Sequence, residues 1–557
     1  MSLEQDIIRW HDQAKSQRTS FDNRRQRFLD LTGIPRKDIT VDRQPGATKT
    51  DEVVDGTTSD ALHTCANFLH GNLFAQGTKW HGMRYQDPEL NKDPEAAEWL
   101  FDCVNRQLNL YARTNFYSST LEWVLDVIWS GDTDMLIEEV QKRITRLQPI
   151  AYTTIPVGSF VWIEGDDGLI EGTIRCFPMK VYQIMERWKN NPKATIPDAI
   201  SRLETKDPTR NFRILHGILP RDLIPNRRLK TDRQMPYMSV WIDYDGKKLI
   251  QESGYNEYPC APCRWFPISG EIYGRGQGDI ALPDTGSLNY IKTKALIYAD
   301  KSVDPPLVEE RGSIVGGVID YNAGGRTVVQ NLQRRPELLA PNPGGDRRMV
   351  ELSISDMRNQ IQACFYYNNI KALIGNESPQ PEKTAFEVRA KLKLLYEILA
   401  PVAGRVMEGM RRMIDVTFAI MLRRQMFLPV PNVLLQYIAD TGRSINTEVE
   451  FTGALAMFQR ESESQQILTT AQQLQFLSQF DSNVLFQLDA PKAARQVFEL
   501  NGTTHLQRTK AQVDKILEQK AQEAEQQRQL MVANSVADTA GKLTPALTAI
   551  QGGKQAA

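Results

Sequence analysis

The chain has 557 residues, 24% of them charged, and a formal net charge of -1. That length supplies apolar material for two to four cores at roughly 150 residues each. The near-neutral balance excludes a basic protein that grips nucleic acid by neutralising its phosphates, though not one that lets nucleic acid pass. Six cysteines (Cys65, Cys103, Cys176, Cys260, Cys263 and Cys364) follow no disulfide-scaffold spacing, which predicts a reducing site of synthesis. The first residues carry no basic and apolar leader, and no stretch approaches 18 apolar residues, so neither a secretory signal nor a membrane span is predicted.

Residues 4–31 read as one polar helix in which Arg18, Arg24, Arg25 and Arg27 alternate with Asp22 and Asp30. This is the pattern of a solvated face rather than of a nucleic-acid arm. After a polar loop, Thr57-Thr-Ser-Asp60 has the form of a capping box, with Asp in place of Glu or Gln, and opens a helix to Leu73. A short strand is predicted from Trp80. Residues 94–111 form an amphipathic helix. Residues 118–130 are apolar on most faces, which predicts a buried helix ended by Gly131-Asp132.

From 134 to 270 short alternating runs read as strands, at 160–163, 172–177 and 237–242, with hairpin chemistry at Asp166-Asp-Gly168 and Asp245-Gly246. Helices followed by an antiparallel block predict an α+β fold, mainly α. Helices at 284–300 and 346–369 then flank a short Gly- and Pro-rich insertion. A strand is predicted at 447–452, and helices at 456–480, 490–501 and 504–531, before a small-residue tail at 532–557.

Between the insertion and these last helices lies the longest periodic segment. A breaker-rich stretch, residues 371–384, leads into apolar positions at Val388, Leu392, Leu395, Leu399, Val402, Val406, Met410, Met413 and Ile420. These form one stripe of a helix about 40 residues and roughly 60 Å long. Pro401 lacks an N–H for the carbonyl of Glu397, which predicts a kink, and Gly404 and Gly409 soften the same region. Two readings stand: a long core helix with a tolerated proline, or a loop followed by a bent helix with its own task.

No constellation of general acid, base and nucleophile emerges, and the six histidines form no spaced ligand set. No cofactor and no metal site is predicted. Tyr273-Gly-Arg-Gly-Gln-Gly-Asp279 has the look of a phosphate-cradling loop, but Asp279 stands where dinucleotide spacing needs Gly, and no Gly-Lys-Ser/Thr is present. It reads as a glycine hinge before a helix, with nucleotide binding near Gly274–Gly278 as the alternative. Cys260-Ala-Pro-Cys263 is a lone CxxC without the second pair a structural zinc requires.

The order of landmarks over roughly residues 28–452 resembles the portal, or head-to-tail connector, proteins of short-tailed phages. The landmarks are Thr58-Ser-Asp-Ala61, Trp80, Trp99-Leu100, Asn115-Phe116, Gly131-Asp132, Phe177-Pro178 with Trp188, Ser253-Gly-Tyr255, Arg264-Trp265, Tyr273-Gly-Arg-Gly276 and Thr384-Ala-Phe-Glu-Val388. Phe386 departs from the small polar residue of the family pattern.

The resemblance implies a non-enzymatic ring, of about twelve subunits, at one capsid vertex of the virion. Such a ring is a conduit for packaging and ejecting double-stranded DNA. Its partners would be the terminase large subunit, the major capsid and scaffolding proteins, and tail adaptor or internal core proteins. Laid on this chain, the family plan gives a wing at 1–283, stem helices at 284–300 and 346–370, and a clip at 301–345. A tunnel loop falls at 371–384, the kinked helix and return to the wing at 385–455, and a helical crown at 456–531. Lys371, Asn376, Glu377, Gln380 and Lys383 are then candidates to face DNA, with helix capping as the alternative reading of the two lysines. Arg326, Arg334, Arg335, Arg347 and Arg348 are candidates to meet the motor or adaptor, or serve solubility alone.

Overall fold

The computed structural model describes residues 2–44, 53–140, 148–224, 235–303, 347–374, 385–442, 445–452, 466–476 and 489–500, with isolated positions between them. The chain opens with α1 (Leu3–Gln17), α2 (Thr19–Thr32), α3 (Thr57–Leu73), β1 (His81–Tyr85), α4 (Pro88–Lys92), α5 (Pro94–Arg113) and α6 (Phe116–Ser130). Next come β2 (Asp132–Glu139), β3 (Ile150–Ile155), β4 (Phe160–Glu164), β5 (Ile170–Lys180), α7 (Val181–Trp188), α8 (Asp198–Ser201), β6 (Asn211–Pro220), β7 (Tyr237–Asp243), β8 (Lys248–Tyr255) and β9 (Cys263–Arg264). The second half holds α9 (Gln277–Val303), β10 (Leu307–Val308), β11 (Glu337–Leu338), α10 (Arg347–Cys364), α11 (Tyr367–Ile374), α12 (Ala385–Arg423), α13 (Asn432–Thr441) and β12 (Thr447–Phe451), with a further helix at Ala490–Leu500.

The chain divides into two compact units: residues 1–82, 103–427 and 453–455, and residues 83–102, 428–452 and 456–557. In the first, β4 to β8 form a five-stranded antiparallel meander in sequence order. Period-two alternation sorts its side chains. Val161, Ile174, Leu215, Met238 and Val240 share a cluster with Leu3, Ile7 and Ile8 of α1. On the opposite face Ile214, Trp241 and Ile250 pack with Val181, Ile184 and Trp188 of α7. Gly217 lies beneath α1, where a Cβ would come 3.3 Å from Ile7 Cγ2. A second antiparallel sheet has the order β3-β2-β9. In the other unit Arg84 pairs with Glu448 and Glu450 across β1 and β12, and the Tyr437 hydroxyl donates to Asp87.

Several expectations change. The first helix is two, joined at Arg18, and only part of its charge is solvated: Arg27 is exposed, whereas Arg18, Asp22 and Arg25 are all buried. Asp60 does not close a capping box. Gly56 is the N-cap, the Asp55 carboxylate accepts from the Thr57 N–H, and Asp60 accepts from the Tyr367 hydroxyl. In the turn after β7 the left-handed residue is Lys247 (φ 51°), not Gly246. Helix α13 follows Pro431 where no element was predicted. Among the described residues, no helix is long and apolar enough to cross a membrane.

Candidate functional site

The glycine loop before α9 is occupied by protein backbone. Gly131 ends α6 in a left-handed conformation (φ 84°), and the loop crosses directly over it. A Cβ on Gly131 would come 2.5 Å from the Arg275 carbonyl carbon, and one on Gly276 would come 2.5 Å from the Gly131 nitrogen and 2.7 Å from the Trp129 oxygen. Both approaches are far inside van der Waals contact, so these positions tolerate only glycine. The Gly274 N–H donates to Asp132 Oδ1 at 2.6 Å, and Asp132 Oδ2 takes Arg25 at 2.5 Å. The amides that would cradle a phosphate face a helix end and a buried carboxylate instead. A nucleotide has no room here.

Arg18 completes this crossing. Its Nε donates to Asp22 at 2.9 Å, its Nη1 donates to the Phe160 carbonyl, and its guanidinium lies 4.6 Å over the Tyr273 ring. Sequence reasoning read Arg18 and Arg25 as surface charge because their partners lie up to 249 residues away. The one local signal was the Arg18–Asp22 spacing of four. Cys260 and Cys263 are buried, and burial pushes both thiols up. Among the described residues no group of three or more His, Cys, Asp or Glu could hold a metal ion.

Helices α9 and α10 pack on each other in antiparallel fashion. Near the start of α9 the Cys364 thiol, closing α10, donates to the Gln277 carbonyl. Further along, Asp55 receives Lys292 at 3.0 Å from α9 and Arg358 at 2.6 Å from α10. Burial alone raises the Asp55 pKa, but hydrogen bonds from Thr57, Arg358 and Lys292 outweigh it and hold the carboxyl well below the usual range. Asn289 adds a second tie: it accepts from the Val54 and Asp55 amides and donates to the Leu31 carbonyl. α9 starts at Gln277, seven residues before its predicted start, and carries Pro283 inside.

The helix predicted at 346–369 breaks after Cys364. Tyr366 sits at φ 58°, a region a bulky residue enters only when its surroundings hold it there. Phe365 is fully buried and the Gln277 side chain donates to the Tyr366 hydroxyl at 3.4 Å. α11 then runs to Ile374, so Lys371 belongs to its last turn and the predicted loop starts later than 371. The Lys371 ammonium lies 4.6 Å over the Tyr367 ring, and a cation there also suits the helix dipole. Asn376, Glu377, Gln380 and Lys383 lie outside the described residues, as do Arg326, Arg334 and Arg335. Arg347 and Arg348 open α10.

α12 runs unbroken from Ala385 to Arg423 with Pro401 inside. The predicted stripe is buried from Leu395 through Val406 and Met413 to Ile420. Gly404 has open space beside it, but Gly409 does not soften the helix. A Cβ there would come 2.7 Å from Trp123 Cζ2, so Gly409 lets α12 approach α6 closely.

The chain belongs to the bacteriophage head-to-tail connecting protein family, whose model matches residues 4–505. Over 558 residues it is 24% identical to a probable portal protein of Bordetella phage BPP-1, covering 96% of this chain and 94% of that one. Over 553 residues it is 23% identical to the portal protein of Salmonella phage epsilon15, with the same coverage. The resemblance read from ordered landmarks is thus borne out. Many of those landmarks are packing residues: Trp80 stacks on Phe116, Asn115 bonds the backbone of Tyr152, and Gly131-Asp132 meets Tyr273–Gly276.

Proposed function

We propose that this chain is the subunit of a portal ring at one capsid vertex, the passage for double-stranded DNA during packaging and ejection. The near full-length match to two portal proteins carries this reading. In it α9 and α10 are the stem, residues 304–346 the clip, 375–384 the tunnel loop, α12 the bent helix behind that loop, and residues 456–531 the crown. A ring of about twelve copies multiplies each axis-facing side chain, so one lysine per chain sets a strong local field in a nearly neutral protein. DNA carries a charge every ~1.7 Å, and dense neutralisation would stall it. Few lysines set among polar groups suit a conduit, which is the role given to Lys371, Asn376, Glu377, Gln380 and Lys383. Arg326, Arg334 and Arg335 in the clip, with Arg347 and Arg348 beside it at the start of α10, face the terminase large subunit and later the tail adaptor or internal core proteins. Major capsid and scaffolding proteins surround the wing, and assembly takes place in the host cytoplasm.

Negative-stain microscopy and native mass measurement of the purified chain test the ring, and a monomer at every concentration overturns it. Deleting residues 375–381 is expected to leave the ring intact and impair DNA packaging or retention. Unchanged packaging and retention would remove the role assigned to the loop.

A further inference from the structure

The bend between α10 and α11 falls where the sequence carries no breaker: no glycine or proline stands between Gln360 and Ile374. The helical ladder stops there all the same. The Phe365 N–H still donates to Ile361 at 3.3 Å, the Tyr366 N–H turns back to Ala363 at 3.1 Å, and Ile370 then donates to Tyr366 at 3.0 Å. A helix that begins afresh at Tyr367 leaves its first amides without an intrahelical partner. A straight run would give the Tyr367, Asn368 and Asn369 amides the carbonyls of Ala363, Cys364 and Phe365. It would also return Tyr366 from its left-handed conformation to the right-handed one, relieving strain.

Packing favours the bend instead, because the bend resets the phase of the helix. At about 100° per residue, a straight continuation would put Tyr367 and Ile370 about 200° and 140° round from buried Phe365. That is the side on which Asp356, Asn359 and Ala363 are exposed. Asn368 and Asn369 would then turn toward the side of buried Ile361 and Phe365. In the bent chain the reverse holds: Tyr367 and Ile370 are buried, and Asn368 and Asn369 are exposed. Two side chains latch this state. The Tyr367 hydroxyl donates to Asp60 of α3 at 2.7 Å. Gln277 of α9 donates to the Tyr366 hydroxyl at 3.4 Å and accepts from the Cys364 thiol at 3.4 Å.

We infer that Tyr366 is the hinge of a two-position segment. At rest α11 lies bent against α3. When the latches at Asp60 and Gln277 let go, α10 runs on straight through Ile374 and carries Lys371 with it. The backbone favours one position and side-chain burial the other, which is the condition for a two-state element. Because the latches belong to α3 and α9, a shift of either helix acts on the hinge. This inference goes beyond the proposed ring and does not depend on it.

Ile370 is buried in the bent position and solvent-facing in the straight one, so the labelling rate of a thiol placed there follows the straight population. Full-length Ile370→Cys is treated with a maleimide, alone and combined with Tyr366→Ala, Tyr366→Gly or Gln277→Ala, and read by peptide mass spectrometry. Buried native Cys103 is the internal reference, and thermal melts verify that each variant is folded. Alanine and glycine both lack the hydroxyl that Gln277 holds, so they differ in backbone preference: alanine favours the right-handed helix, and glycine takes a positive φ without strain. The introduced thiol is expected to label at least tenfold faster than Cys103, and at least tenfold faster with Tyr366→Ala than with Tyr366→Gly. Gln277→Ala is expected to raise the rate at least threefold. Should Ile370→Cys fail to fold, Tyr367→Cys, at the other buried position of α11, reads the same motion. Amide exchange at Lys371–Ile374 is expected to stay equally slow in all variants, because the straight segment remains helical. Equal labelling with alanine and glycine, labelling at the pace of Cys103, no effect of Gln277→Ala, or amide exchange that quickens in step with labelling each overturn the hinge. Native mass measurement on the same samples scores the ring separately.

Discussion

Arg25 Nη2 lies 2.5 Å from Asp132 Oδ2, with both side chains buried, joining α2 to the turn that ends α6. The same aspartate accepts the Gly274 N–H, so one carboxylate ties the N-terminal helices to the loop that launches α9. Removing one partner of a buried pair leaves an uncompensated charge, at a cost of about 3–5 kcal/mol. Asp132→Ala is expected to lose stability on that scale in urea unfolding. Arg25→Met with Asp132→Leu is expected to lose less than the two single changes summed, and strict additivity would show that the two do not act as a pair.

The glycine loop gives a contrast within one chain. Gly276→Ala sets a Cβ against the backbone at Gly131, Ile128 and Trp129, and is expected to cost about 1–3 kcal/mol or prevent folding. Gly404→Ala meets nothing within 4 Å inside a helix and is expected to stabilise by up to about 1 kcal/mol. Thermal melts compare the two. Loss of a function in Gly276→Ala therefore reports folding, not a nucleotide site.

Asp55 predicts an acid limit. Its folded pKa is depressed, so its contribution is complete above the unfolded value near 4 and is lost as pH falls below it. Asp55→Asn is expected to melt lower than wild type at pH 7, with the gap closing below about pH 4. A gap that is constant with pH would separate Asp55 from the acid transition.

Asp134 works in the opposite sense. Burial pushes its carboxyl up to about 6, offset in part by hydrogen bonds from Trp162 at 3.0 Å and Thr173 at 2.7 Å. Below about pH 4 it is protonated in both states. Between about 4 and 6 only the unfolded chain gives up the proton, so about 3 kcal/mol of stability fades as pH rises. Asp134→Asn is expected to flatten that slope and to be the more stable protein at pH 7. An unchanged slope assigns it to another group.

Much was legible because it is local. The α12 stripe from Leu395 to Ile420, the buried α6 and the strands at 160–163, 172–177 and 237–242 follow from periodicities that act within a few residues. The break at Tyr366 was not legible. No glycine or proline marks it, and it is held by buried Phe365 and by Gln277, 89 residues away.

From the sequence alone came the α+β class, the long helix through Pro401 and the ordered landmarks of a connector protein, because side-chain periodicity and landmark order are properties of the chain itself. Only the tertiary structure decided that Tyr273–Gly278 is a backbone crossing, that Arg18 and Arg25 are buried, and that Asp55 holds α9 and α10 together. The physical reason is burial. Whether a glycine is a hinge or a contact, and whether a charge is solvated or paired, depends on what the fold brings against it from elsewhere in the chain.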